Sequence, residues 1–231
     1  GCRQTTFSPL YKSNATMKKL EQALGVIDYD QEYRYYQIID GVLTGGKDPI
    51  FDRETLWTFN RRLPEGQDDQ GLMVEEYAVS YEEYPAIGSG AITPLNHTLF
   101  VNTFSLKEYN EKIASGKMSL MGKTKVGGRN FERYWFLLQL YHLRLDKKAF
   151  KEKFGISVDA ALPAEMAFLR ACRAFEKDNV DELTLTPIGR YLVVVMYRQF
   201  LSGLNNLREQ ARSVLSGAES QLQFEPDNYC N

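Results

Sequence analysis

Between residues 131 and 216 the chain is punctuated so closely by helix signals that few fold classes remain open to it. The run FERYWFLLQLYHLRL (131–145) is long and strongly apolar, as a buried helix requires. DKKAFKEKFG (146–155) opens on an aspartate cap and closes on a glycine, the pattern of a short complete helix. LPAEMAFLRACRAFEK (162–177) places Pro163 at the first helical position, where a missing N–H costs nothing. DELTLT (181–186) reads as a short strand. Thr186 then caps a helix, Pro187 fills its first position, and the helix runs to about Ser216.

Helix, helix, helix, strand and long helix in this order predict a mainly helical, winged-helix-like module over residues 126–217. Residues 218–231 are a polar, loose tail. The preceding part is mixed. RQTTFSPL (3–10) reads as a strand and ATMKKLEQALG (15–25) as a helix with its closing glycine. A second helix covers 28–43, with Asp28 or Asp30 near its cap. Its Tyr29, Tyr33, Tyr36 and Ile39 or Asp40 recur at helical spacing and form one stripe that packs on a core. ETLWTFNRR (54–62) is a predicted strand with Trp57 and Phe59 on one face, followed by a polar loop (63–71) and the run LMVEEYAV. HTLFVNTFS (97–105) is another extended run. Ser105 and Glu108 make a capping box for the helix that Gly116 closes. GKMSLMGKTKVGG (116–128) is rich in glycine and lysine and is the expected domain boundary. The fold class is thus α/β of mixed character.

Lys and Arg total 28 against 30 Asp and Glu, a net charge of −2 that argues against a dedicated nucleic-acid binder. The most apolar run, YLVVVMY (191–197), is too short to cross a membrane. Cys2, Cys172 and Cys230 match neither a zinc pattern nor a closed disulfide framework, so a reducing, cytoplasmic setting is expected. His97 and His142 are the two histidines, too few for a histidine-based metal site.

YPAIGSGAI (84–92), LFVNTFSLKEYNEKIASGK (99–117), FLLQLYHLRLDKKAFKEKFG (136–155) and LTLTPIGRYLV (183–193) occur in an order that resembles the oxygen-independent coproporphyrinogen III oxidase family of radical S-adenosylmethionine enzymes. That family carries a G-x-G-A loop, a short strand, an asparagine and a tyrosine-containing helix, then a C-terminal domain with an LT-x-x-G junction. TTFSPL (5–10) is similar to its last barrel strand. The resemblance implies that residues 1–125 are the closing part of a radical S-adenosylmethionine-type α/β barrel with extensions. The family's C-x-x-x-C-x-x-C cluster motif is absent. The chain then corresponds to a C-terminal portion, with the [4Fe–4S] ligands and much of the S-adenosylmethionine site in a missing N-terminal half. This portion alone is not expected to be active, since the cluster supplies the electron. An exposed barrel edge at the first strand favours self-association.

The resemblance also assigns roles. Leu10 and Tyr11 follow the last barrel strand, near the adenine end of the cofactor. Gly88, Gly90 and Ile92 form a small-residue loop close to cofactor and substrate, and Trp57 and Phe59 lie near the same cavity. The substrate implied is a porphyrin or haem-like tetrapyrrole, handled by an oxidase, a methyltransferase or a haem chaperone. From the residues alone, Gly88–Ala91 is equally a tight turn. Arg61, with Arg62, is either a fork for substrate carboxylates or a surface residue before the polar loop. Glu82 and Glu83 point to opposite faces of an extended run and do not converge. Two other readings stand beside this one: a DNA-binding winged helix reading through Arg170, Arg173 and Lys177, diluted by Glu165 and Glu176, and an interaction domain without a cofactor.

Overall fold

A computed structural model describes residues 2–63 and 83–213. The expected run 72–79, Tyr81, Glu82, most of the polar loop and the tail with Cys230 lie outside the described residues. Helix and strand are mixed, as expected, but the strands gather into three separate three-stranded sheets. All six strand pairings among the described residues are antiparallel.

The first sheet has the order β1 (Gln4–Thr6), β3 (Thr58–Arg61), β2 (Phe51–Arg53). Two helices separate β1 from the others: α1 (Asn14–Leu24), capped by Ser13, and α2 (Tyr29–Thr44), capped by Asp28. Of the strand expected over 54–62, only β3 (Thr58–Arg61) is extended; a bend at 55–57 separates it from β2, which lies before that span. β1, expected as a barrel strand, runs antiparallel to β3, with Thr5 opposite Phe59. A parallel barrel needs crossovers that return each strand in the same direction; here the chain folds back, and the described residues close no barrel.

The second sheet is β4 (Ile92–Leu95), β5 (Thr98–Asn102) and β6 (Leu120–Lys125) in that order. The β4–β5 hairpin turns through Asn96 and His97, both at positive φ (47° and 54°). Helix α3 (Leu106–Ala114) links β5 to β6. The glycine- and lysine-rich segment expected as a boundary thus contains β6, an edge strand hydrogen-bonded to β5. Ser105 accepts from the Glu108 amide at 3.1 Å, the forward half of the capping box. Thr103 takes part in the reverse half: its Oγ1 accepts from the Ser105 amide and donates to the Glu108 carboxylate at 2.7 Å.

Residues 129–213 run α4 (Arg129–Tyr141), β7 (Arg144–Asp146), α5 (Lys147–Phe154), α6 (Val158–Ala161), α7 (Pro163–Ala171), β8 (Phe175–Asp178), β9 (Glu182–Leu185) and α8 (Pro187–Ser213). Their sheet has the order β7-β9-β8. Asp146 accepts from the amides of Lys148 and Ala149, and Gly155 ends α5 at φ 70°, both as the sequence indicates. Two expected helices are shorter. The first ends at Tyr141 because Leu143 turns left-handed (φ 68°) into β7. The helix expected to reach residue 177 stops at Ala171, because residues 175–178 pair with β9.

Gly189 sets how close α8 comes to this sheet. A Cβ there would lie 1.9 Å from the Ala174 carbonyl oxygen, so only glycine lets the first turn of α8 seat on that backbone. Thr186 Oγ1 caps the turn by accepting from the Gly189 amide at 3.1 Å. The core joins Phe136, Leu140, Tyr141, Phe150, Met166, Leu169, Leu183 and Val193. It also takes in Leu56 and Trp57 from the bend before β3.

Candidate functional site

The Gly88–Ile92 loop is held from one side by the β5–α3 segment. Asn102 Nδ2 donates to the Gly88 carbonyl at 2.9 Å, and the Gly88 amide donates to the Tyr109 hydroxyl at 3.1 Å. Ser89 Oγ and the Gly90 amide both donate to the Thr103 carbonyl at 2.9 Å. Ala91 accepts from the Asn102 amide, and Ile92 enters β4 opposite Val101. Thus the asparagine and the helix tyrosine that follow the glycine loop are its anchors. Their spacing from the loop, 14 and 21 residues, hides this in the sequence.

The two glycines play different parts. At Gly90 (φ 69°) a Cβ would lie 2.6 Å from the Phe104 ring, so the group that approaches this backbone is a side chain of the protein itself. At Gly88 (φ 112°) nothing among the described residues lies within 4 Å of the same position. Phe104 is 4 % exposed, with the Arg212 guanidinium 5.7 Å from its ring centre.

The other expected site residues are distributed over the first sheet. Leu10 is 48 % exposed and Tyr11 packs partly against the core, both beyond β1. Trp57 is buried, edge-on to Tyr141 (5.0 Å) and Tyr197 (5.6 Å). Phe59 is buried too, between the Phe7 ring (6.3 Å) and the Arg53 guanidinium (4.5 Å). Because Trp57 precedes the strand, it turns into the C-terminal core while Phe59 stays with the first sheet. Arg61 is exposed at the end of β3, with its amide bonded to the Arg3 carbonyl. Arg62 is paired with Asp52 through two nitrogens at 2.8 and 2.6 Å. The structure thus brings Gly88, Gly90 and Ile92 together on the second sheet and leaves Leu10, Tyr11, Phe59 and Arg61 on the first.

A charged cluster that the sequence did not single out joins α2 to α8. Asp40 bridges Arg53 (2.7 Å) and Arg190 (2.9 Å), and Arg53 also donates to the Leu56 carbonyl at 2.6 Å. Partial burial pushes the Asp40 carboxyl up, but the two guanidiniums outweigh it and hold the group below the usual carboxylate range. Burial raises the Tyr36 phenol despite the adjacent Arg53. Two turns from Asp40, Glu32 accepts from Arg198 Nη1 and Nη2 (2.5 and 2.9 Å) and from the Tyr191 hydroxyl (2.6 Å). Burial and the Glu32 carboxylate raise the Tyr191 phenol well above its ordinary value. The tyrosine stripe expected on α2 packs here, with Tyr33 and Tyr36 rings 5.0 and 5.9 Å from Tyr191. Every acid in this cluster is matched by an arginine, so it clamps two helices rather than offering a free acid or base.

The described residues do not fit an iron–sulfur cluster. Cys2 and Cys172 are free, and no three His, Cys, Asp or Glu side chains converge as metal ligands among the described residues. On α7, Arg170 is bound to Asp159 and Asp178, and on β8 Lys177 is bound to Glu182. Among the described residues, no helix is long and apolar enough to cross a membrane.

Three small antiparallel sheets with a helical C-terminal module define a mixed α/β protein. No protein-family model and no curated protein matches the sequence. Among solved structures, the chain is similar to coproporphyrinogen III oxidase from Escherichia coli, which is described as a radical SAM enzyme. The superposition has a TM-score of 0.53 at 15 % identity, and covers 83 % of this chain and 44 % of that one. The chain therefore spans less than half the length of that enzyme, and the likeness is one of fold.

Proposed function

We propose that this chain is the C-terminal portion of a radical S-adenosylmethionine protein of the coproporphyrinogen III oxidase type, and that it takes part in holding a porphyrin or haem-like tetrapyrrole. The observation that carries the proposal is the likeness over 83 % of the chain to an enzyme of that name, reached from motifs that occur in the same order. In this reading residues 1–125 lie beside the catalytic barrel rather than closing it, and residues 126–217 form its winged-helix-like cap.

When bound, the cluster and S-adenosylmethionine would supply the radical. The thiolates for the cluster would come from outside the described residues. The residues of this chain shape and exclude water. In this reading the uncrowded Gly88 backbone faces the cofactor, Ile92 gives an apolar contact, and the exposed Arg61 serves a substrate carboxylate; the open Cβ position of Gly88 and the exposure of Arg61 support it. Leu10 and Tyr11 lie toward the adenine end. The reading places the protein in the cytoplasm, with the other half of the enzyme and a tetrapyrrole as partners and neither nucleic acid nor membrane.

The test is a titration of the purified chain with metal-free coproporphyrin III and with haemin, followed through tryptophan quenching and the porphyrin Soret band. Saturable binding near one equivalent of either is expected. Linear, non-saturating signals with both would remove the tetrapyrrole reading.

A further inference from the structure

The second sheet ends on an open edge. β6 is the last strand in the order β4-β5-β6, and every residue of it after Leu120 is exposed. The hydrogen-bond pattern fixes which backbone groups that edge offers. The Val126 amide donates to the His97 carbonyl at 2.7 Å, one step beyond the register in which Lys125 faces Thr98 and Lys123 faces Phe100. Bonded and non-bonded pairs alternate along an antiparallel ladder. Val126, Thr124 and Gly122 therefore turn their peptide groups toward β5, and Lys123 and Lys125 turn theirs outward. Both lysine side chains lie on one face of the sheet, and neither has an ion-pair partner among the described residues. The edge thus presents two amides, two carbonyls and two positive charges, repeated every second residue. Lysines on an edge strand discourage pairing with most other strands. Opposite charges directly across a ladder stabilise it, so the strand this edge accepts has carboxylates two residues apart.

We infer that the C-terminal tail of the chain is that strand. Residues 224–228 (FEPDN) pair antiparallel to β6, with Glu225 opposite Lys125 and Asp227 opposite Lys123. Outside the described residues, Glu225 and Asp227 are the only two carboxylates at this spacing. The tail also starts beside the sheet. The Arg212 guanidinium lies 5.7 Å from the ring centre of Phe104, just past the end of β5. From Ser213 to Glu225 the extended chain reaches up to about 40 Å, roughly twice the length of β6. Pro226 fits this pairing and selects its direction. With Glu225 and Asp227 in bonded positions, residue 226 turns its own peptide group away from β6, where a missing N–H breaks no ladder bond. A parallel strand with the same charge pairing needs the amide of residue 226 as a donor, which proline lacks. Once in place, proline also blocks the new edge against further strands. The sheet that anchors the Gly88 loop is then fastened to the end of α8 through backbone as well as through Arg212. This strap is independent of tetrapyrrole binding, and either can be absent without the other.

Hydrogen exchange of the full chain near neutral pH, read residue by residue by nuclear magnetic resonance, tests the strap. The amides of Lys123, Lys125, Glu225 and Asp227 are expected to exchange at least roughly tenfold slower than their intrinsic rates. Reversing the charges on one side, in K123E/K125E or in E225K/D227K, is expected to speed all four at least roughly threefold, because like charges then face each other. All of these are solvent-facing positions in β6 or lie in the tail, so the cores stay intact. Combining both reversals is expected to restore the protection. Pro226→Ala is expected to change it less than about twofold, since the regained N–H points away from β6. If Lys123 and Lys125 exchange at intrinsic rates in the wild type, the edge is open and there is no strap. If they are protected while Glu225 and Asp227 are not, or if the combined variant fails to recover, another segment or chain covers the edge and the assignment is overturned. Protection that rises with protein concentration, together with a dimer on sizing, places the tail of a second copy on the edge and overturns a strap within one chain.

Discussion

The two ends of the chain are held by different forces. Residues 129–213 enclose an apolar core in which Leu140, Leu145, Phe150, Leu162, Leu169 and Leu183 are fully buried. The two N-terminal helices bury no residue completely. Helix α2 is fixed instead by tyrosine rings and by the Asp40–Arg53–Arg190 and Glu32–Arg198 pairs, while Leu24, Val26, Ile38 and Val42 face solvent. Hydrophobic burial is non-directional and cooperative across a whole module. Ion pairs between partly exposed groups are directional and sensitive to each partner. The C-terminal part is thus held by an apolar core that also takes in Leu56 and Trp57, and the N-terminal helices are attached to it by directional pairs.

The largest effect expected breaks the stronger side of this contrast. Phe150 is wholly buried and packs on Trp135 and Phe154. Phe150→Ala should cost about 3–5 kcal/mol. Denaturant unfolding followed by far-ultraviolet circular dichroism should show the whole module melting earlier; a loss under 1 kcal/mol would mean the core is not the unit described. The weaker side is broken by Arg198→Met. The arginine is 4 % exposed and its Glu32 partner 29 %, so the freed carboxylate can turn to water. The cost should fall below the roughly 3–5 kcal/mol of a fully buried broken pair, at about 2 kcal/mol. Hydrogen exchange should show it as faster opening of α2, with α4 and α5 amides unchanged. Uniform acceleration over both parts would show that the two fold as one unit.

The second sheet carries a smaller version of the same contrast between a filled and an open position. Gly90→Ala forces a methyl into the Phe104 ring at a left-handed φ, and should cost about 2 kcal/mol. Gly88→Ala meets open space and bears the backbone cost alone, about 1 kcal/mol. Thermal unfolding of the pair checks the order, and a tetrapyrrole or S-adenosylmethionine titration of the purified chain reads whether only Gly88→Ala disturbs a ligand.

How much of this was legible in the sequence depends on the range of the interaction. Caps act over three residues, so Asp28, Ser105, Asp146, Thr186 and Gly155 announced their helices. The tyrosine stripe of α2 followed from helical spacing alone. Where a distant partner decides, the sequence was silent. Residues 175–178 read as the end of a helix until β9 pairs with them, and β6 read as a linker until β5 does. The pair of aromatics at 57 and 59 suggested one face; the bend at 55–57 sends Trp57 toward Tyr141 instead. The glycine loop drew attention correctly as a place of close approach, but Phe104, 14 residues away in sequence from Gly90, supplies that approach. The clamp of Asp40, Arg53 and Arg190 spans 150 residues between its ends, and nothing local marks it.

The smallest effect expected concerns pH, and it separates the two regions by the kind of group each depends on. Asp40 is held below the usual carboxylate range in the folded chain, after the guanidiniums overcome the opposing effect of burial. A carboxyl lowered by folding adds stability above its unfolded pKa of about 3.9, and that stability disappears as pH falls through the folded value. Protonation leaves Arg53 and Arg190 without their shared partner, so α2 should loosen from α8 below about pH 4. Asp178 is lowered in the same way by Arg170 and Lys147, so the C-terminal part also weakens in acid, but its apolar core does not titrate. Hydrogen exchange between pH 3 and 6, corrected for the intrinsic rate, should therefore show α2 protection falling before that of α4. In Asp40→Asn the α2 protection should be lower at pH 6 and nearly flat toward acid. A wild-type acid response that survives in Asp40→Asn would place the pH sensitivity of this attachment elsewhere, with Glu32 and its Arg198 partner as the next group to replace.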